Sequence, residues 1–184
     1  IVSGSIYALS GIGLSLTYGI LRFANVSHGD VMTVGAFVAL ATLSALQAMG
    51  LQGAPLAPLS FGWAVIVALA VAMVATALLS AGLDGLLYRH LRRGTTPANN
   101  TVLLISSIGV AFALRALVQF IWSPQPQYYI RKIQISRDFF GVRIKPDQLF
   151  IIAVTALLVL GLHLFLTRSR LGKAMRATAD NFAL

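Results

Sequence analysis

The run FGWAVIVALAVAMVATALLSAGLDGLL, Phe61 to Leu87, meets no charged side chain until Asp84. A helix needs about 20 mostly apolar residues to cross the hydrocarbon of a bilayer, and this run exceeds that length. Its alanines favour helix and let a neighbouring backbone come close. Working outward, four further runs reach or approach the same length. They are Ile1 to Leu21, ended by Arg22; Val31 to Met49, without a charge; Val102 to Trp122, interrupted by Arg115; and Leu149 to Leu166. Open strands would leave backbone groups unsatisfied in lipid, so helices are the expected form. The sequence thus predicts an all-α, polytopic transmembrane bundle with helices at about 1–21, 31–49, 61–87, 102–122 and 149–166. Residues 167–184 form a basic segment after the last helix. The chain opens at Ile1 inside an apolar stretch and closes at Leu184 without a polar tail, so residues 1–184 are expected to be the N-terminal part of one larger transmembrane domain.

Composition agrees with this reading. Hydrophobic residues make up 58% of the 184 and charged residues only 10%, against about 25% charged in soluble domains. A net charge of +9 would suggest nucleic acid in a soluble protein. Here the basic residues gather between apolar runs, where they record membrane orientation. Membrane lipid is therefore an expected partner and nucleic acid is not. There is no cysteine, hence no disulfide and no thiolate metal site. His28, His90 and His163 are too scattered for a metal cluster, and no cofactor is implied. The first run lacks a basic leading region and a small-residue cleavage site, so it does not read as a signal peptide.

The connecting segments differ in kind. Residues 50–60, with Gly53, Pro55 and Pro58, suit a short interfacial turn. Residues 123–148 alternate apolar and polar side chains around Phe139-Phe140-Gly141, which predicts a short extramembrane hairpin near 124–146. If the segment after the fifth helix is cytoplasmic, so are residues 22–30 and 89–101. Those three regions hold Arg22, Arg89, Arg92, Arg93, Arg168, Arg170, Lys173 and Arg176, and the outer loops hold Arg131, Lys132, Arg137, Arg143 and Lys145. The excess favours that orientation.

The segment RFANVSHGD, Arg22 to Asp30, puts Asn25, Ser27, His28, Gly29 and Asp30 between two apolar runs with little room for a loop. Irregular polar backbone at membrane depth survives only where protein or a water-filled cavity surrounds it, and transporters use such interrupted helices to meet polar solutes. The other reading is a tight cytoplasmic turn in which Asp30 caps the next helix. On the first helix Gly4, Ala8, Gly11, Ser15 and Gly19 recur at steps of three or four and so share a face, fit for helix packing or for lining a pathway. Arg115 is costly inside a helix of this kind; it either serves function or snorkels toward the interface beside Trp122. Asp84 is expected to pair with a nearby basic residue such as Arg89. Enzymatic motifs fail: Gly172-Lys173 lacks the earlier glycine of a P-loop, so no ATP site is expected on this chain.

The stretch GSIYALSGIGLSLTYGILRFANVSHGDVMTVGAF, Gly4 to Phe37, closely resembles the N-terminal signature of branched-chain amino acid ABC transporter permeases. It matches through Asn25, His28, Gly29 and Asp30, and departs from the family pattern at Val26-Ser27. The stretches LYRHLRRG and LLISSIGVAF resemble the family's basic loop and fourth helix, with His90 where a proline is common. RSRLGKAMRATADNFAL resembles its cytoplasmic coupling segment through Arg170, Gly172, Arg176, Ala177, Ala179 and Asp180. The resemblance implies a permease of the bacterial inner membrane without its own ATPase. It further implies a second permease subunit, two cytoplasmic ABC ATPases docking on the coupling segment, and a periplasmic substrate-binding protein. The alternative is a secondary transporter or channel for a small polar solute.

Overall fold

The computed structural model describes residues 2–21, 23–51, 53–54, 56, 59–92, 98–129, 137–139 and 142–180. Helices dominate them: α1 (Val2–Leu21), α2 (His28–Ala48), α3 (Trp63–Leu83), a π-helical turn (Asp84–Tyr88), α4 (Arg89–Leu91), α5 (Ala98–Trp122), α6 (Pro146–Arg168) and α7 (Arg170–Asp180). Four stretches are long and apolar enough to cross a membrane: His28–Ala48, Trp63–Leu91, Asn100–Trp122 and Pro146–Arg168. α1, charge-free over 20 residues, is the further crossing expected from the sequence and is not among those four. The chain is a multi-pass helical membrane protein, and it folds as two compact units. One contains residues 1–24 and 135–184; the other contains residues 25–134.

In the second unit α2 lies against α3. Ala64, Ala68 and Ala72, one turn apart, form a buried ridge on α3 that meets Ala39 and Leu43 of α2. The contact is close because both sides are small: a Cβ on Gly35 would come 2.5 Å from the Thr76 methyl. α2 ends as its sequence allows. Gly50, at φ +74°, takes the left-handed conformation open to glycine. The Gly50 and Leu51 amides donate back to the Gln47 and Leu46 carbonyls at 3.0 and 2.9 Å, the pattern of a Schellman stop. α5 also packs on α2, with Trp122 and Phe37 ring centroids 5.2 Å apart.

In the first unit α1, α6 and α7 pack together. Pro146 opens α6 at a position where its missing N–H costs nothing, and Gln148 Oε1 accepts from the Lys145 amide at 3.2 Å. Of the hairpin expected near residues 124–146, the described residues hold two short strands. Arg137–Phe139 (β1) pairs antiparallel with Val142–Ile144 (β2), with Asp138 opposite Arg143; Phe140 and Gly141 lie outside the described residues.

Several element boundaries differ from the sequence reading. α2 begins at His28 rather than Val31, because polar residues that interrupt an apolar count do not interrupt a backbone ladder. For the same reason α5 begins at Ala98 rather than Val102, and α6 spans Pro146–Arg168 rather than 149–166. The third helix runs past Leu87 to Leu91, through the π turn. Asp84 pairs with Arg92, not Arg89. The extra residue of a π turn makes position 92 equivalent to i+7 from Asp84, two turns on and on the same face.

Candidate functional site

The short break between α1 and α2 is held by side chains from far along the chain. Asn25 starts it locally: its Oδ1 accepts from the Ser27 amide at 3.2 Å and the Ser27 hydroxyl at 2.7 Å, an Asx-type turn. Its carbonyl accepts from the His28 amide at 3.3 Å. Ser27 occupies the N-cap position of α2 but caps nothing. Its hydroxyl is wholly buried and lies 3.1 Å from the Tyr88 hydroxyl at the end of the π turn. Since the one Ser27 proton goes to Asn25, Tyr88 is the donor in that pair. Val26 donates its amide to Ser107 Oγ of α5 at 3.2 Å, and Ser107 in turn donates to the Leu104 carbonyl at 2.7 Å. Tyr88, Ser107 and Ser27 are all buried, and every buried polar side-chain atom among the described residues has a partner. This is what a polar segment needs if water is absent.

Ser107 and Arg115 fix where the break lies along α5. Ser107 is five residues beyond Val102, roughly 7–8 Å along the helix, so the break sits abreast of apolar helix rather than at its end. On the other side Tyr88 is the residue just before the basic Arg89-His90. Asp30 points further in. It is the acidic residue of the first turn of α2, favourably placed for the helix dipole, and it does not act as the cap. Its carboxylate accepts from Arg115 Nε at 3.2 Å and Arg115 Nη2 at 3.5 Å. The Arg115 side chain therefore leans back toward the start of α5, as helical side chains do, and does not snorkel toward Trp122. An acid and a base that would each be costly in a membrane helix cancel one another.

Of the five residues singled out in the break, three look inward. Asn25, Ser27 and Asp30 are engaged with one another, with Tyr88 or with Arg115. His28 is partly exposed, and its side chain has no hydrogen-bond partner among the described residues. Gly29 is exposed, and a Cβ there would meet nothing within 4 Å. Sequence reasoning missed Tyr88 and Ser107. Both lie in apolar stretches where a single hydroxyl carries no signal until its partner is known.

The first unit holds a second feature. After Arg168 the chain bends at Ser169, whose backbone is extended (φ −77°, ψ 151°). Ser169 Oγ accepts from the Gly172 amide at 2.8 Å and its carbonyl accepts from Lys173 at 3.1 Å, so Ser169 caps α7. A Cβ on Gly172 would collide with the Phe165 carbonyl oxygen and lie 2.5 Å from Leu166 Cα. Gly172 is thus used on the chain's own α6. Arg170, Arg176 and Ala177 are exposed, and Asp180 is the last residue of α7.

The small-residue face of α1 is open. Ala8, Gly11, Ser15 and Gly19 line a cavity of about 540 Å³, closed on the other side by Leu166 and by Met175, Arg176 and Ala179 of α7. A Cβ at Gly4, Gly11 or Gly19 would meet nothing within 4 Å, so no described backbone makes the close approach that this face allows.

The family described as "Branched-chain amino acid transport system / permease component" matches residues 1–184. BraD of Pseudomonas aeruginosa, named a high-affinity branched-chain amino acid transport system permease protein, is 33% identical over 98% of this chain. LivH proteins of Escherichia coli K12 and Salmonella typhimurium, named likewise, are 29% and 30% identical over the same share. The chain spans 57% of the length of each of these relatives. No solved structure matches it.

Proposed function

This chain belongs to the family of branched-chain amino acid transport system permease components, and from that premise we propose that the whole protein is the membrane-spanning subunit of an ABC importer in the bacterial inner membrane. It moves branched-chain amino acids, or related small polar solutes, into the cytoplasm. It is a transport subunit and not an enzyme. Two cytoplasmic ATPases drive it, a second permease subunit pairs with it, and a periplasmic binding protein delivers the solute.

The observation that carries this reading is the break at Asn25–Asp30, tied by Tyr88, Ser107 and Arg115 alongside an apolar helix. Irregular backbone in such a place is the usual architecture of a solute path. In this reading His28 and Gly29 border the path, while Asn25, Ser27 and Asp30 hold the break in shape. α7 is the segment that docks on the ATPase, through its exposed Arg170, Arg176 and Ala177 and its terminal Asp180. Gly172 serves that docking indirectly, by letting α7 fold tightly under α6. The small face of α1, including Gly4, receives another helix of the assembled transporter.

The test is to tag the full-length protein, solubilise membranes gently and identify what copurifies. An ABC-type ATPase and a second permease in fixed ratio are expected. A stable protein that reproducibly comes alone would overturn the importer and favour a secondary transporter or channel.

A further inference from the structure

Asp30 uses only one side of the Arg115 guanidinium. It is bound through Nε and Nη2, the lateral edge of the group. The second fork, Nη1 with the remaining Nη2 proton, has no partner among the described residues, and the Arg115 side chain is 58% exposed while Asp30 is 12% exposed. A guanidinium presents five donors in a fixed plane and can take a carboxylate on each edge. On the same face of α5, one and two turns toward its start, Phe112 and Ile108 are also exposed. A half-used arginine fork beside apolar side chains has the chemistry of an amphiphilic carboxylate.

Resting on the transport reading above, we propose that Arg115 offers its Nη1–Nη2 edge to the carboxylate of the transported solute, with Phe112 and Ile108 beside the solute's aliphatic side chain. Asp30 then has two roles. It fixes the plane of the guanidinium, and it cancels the positive charge that would otherwise hold an anion too tightly. A pathway site must bind well enough to admit its solute and weakly enough to release it, and a neutralised arginine meets both demands. The assignment also chooses among solutes. It selects amino acids that carry a carboxylate over urea or amides, which would leave the second edge of Arg115 without a bidentate acceptor.

The complete transporter, with permease pair, ATPases and loaded binding protein, is reconstituted in proteoliposomes. Uptake of radiolabelled L-leucine and ATP hydrolysis are measured in the same vesicles. A wild-type complex that imports no branched-chain amino acid defeats the transport reading itself, and this proposal with it. Given wild-type import, Arg115→Lys keeps the charge and the partner of Asp30 but loses the planar second fork. Leucine taken up per ATP hydrolysed is expected to fall about tenfold, the loss of one charge-assisted hydrogen bond. The double variant Asp30→Asn/Arg115→Gln leaves no lone charge behind. It is expected to keep ATP hydrolysis stimulated by loaded binding protein and to show a fall at least as large, since the neutral amide makes no charge-assisted bond. An unchanged ratio of uptake to hydrolysis in the assembled Arg115→Lys complex overturns the proposal, and so does an unchanged ratio in the double variant. A purely structural pair would lower assembly, uptake and hydrolysis together and leave that ratio intact.

Discussion

Two short breaks interrupt the helices of this chain, and they are built on opposite plans. The break between α1 and α2 is held from a distance. Its Ser27 hydroxyl, Val26 amide and Asp30 carboxylate find Tyr88, Ser107 and Arg115, which lie 61 to 85 residues further along the chain. The break between α6 and α7 is held locally, with Ser169 capping within four residues and Gly172 seated on Leu166. The first is a polar knot whose stability depends on the π turn and α5 of its own unit being in place. The second is a bend that its own stretch, Phe165 to Lys173, specifies. Under the proposed function the first segment borders a solute path and has reason to depend on the rest of it, whereas the second docks on a soluble partner and must keep its own shape.

The largest expected effect breaks the distant plan. Asp30→Ala leaves the Arg115 charge alone two turns inside the end of α5, and a charged side chain in a membrane helix costs up to about 3 kcal/mol on insertion scales, the most at its centre. The detergent-solubilised full-length protein should lose a large part of its thermal stability, and adding Arg115→Gln should restore most of it. If Asp30→Ala melts like wild type, the pair does not anchor the break.

The next effect breaks the local plan. Gly172→Val forces a side chain into the Phe165 carbonyl and Leu166 Cα, and overpacking of this kind costs about 1–3 kcal/mol. Because α7 is only one helix at the edge of its unit, the cost is expected to displace α7 rather than unfold the bundle. Protease accessibility around Arg170–Arg176 should rise while the melting transition moves little. A global loss of stability equal to that of Asp30→Ala would erase the distinction between the two breaks.

The same contrast explains what was legible in the sequence. Long apolar runs announce the helices, since length and hydropathy are properties of a stretch and need no partner. Gly50 and Gly172 were equally readable as glycines, although only the backbone shows that Gly172 turns inward to α6. The break was visible as a polar island, but its reading stayed divided between a turn and a path. The residues that bear on the choice, Tyr88 and Ser107, look like ordinary members of apolar helices. The π turn at Asp84–Tyr88 has no marker of its own, and without it the Asp84–Arg92 pair could not be placed. The row of small residues on α1 and the alanines of α3 look alike in sequence. Within the described chain one lies open and the other is buried under α2. A small-residue stripe tells where a backbone can approach, not whether one does.

The smallest effect tests the polar knot atom by atom. Tyr88→Phe removes one hydroxyl and keeps the ring that is buried beside the break. Ser27 still donates to Asn25 at 2.7 Å, so no donor is stranded; only acceptors lose the Tyr88 hydroxyl, the Ser27 oxygen at 3.1 Å and Asn25 Oδ1 at 3.4 Å. A neutral hydrogen bond lost without a stranded donor costs about 0.5–1.5 kcal/mol. Ser107→Ala makes the sharper comparison, since it leaves the Val26 amide, a true donor, unpaired and should cost more. Thermal melts of the two variants in one detergent decide the matter. Tyr88→Phe costing less than Ser107→Ala is the order that the bonding pattern requires. The reverse order would mean that Tyr88, and not α5, is what fixes the break in place.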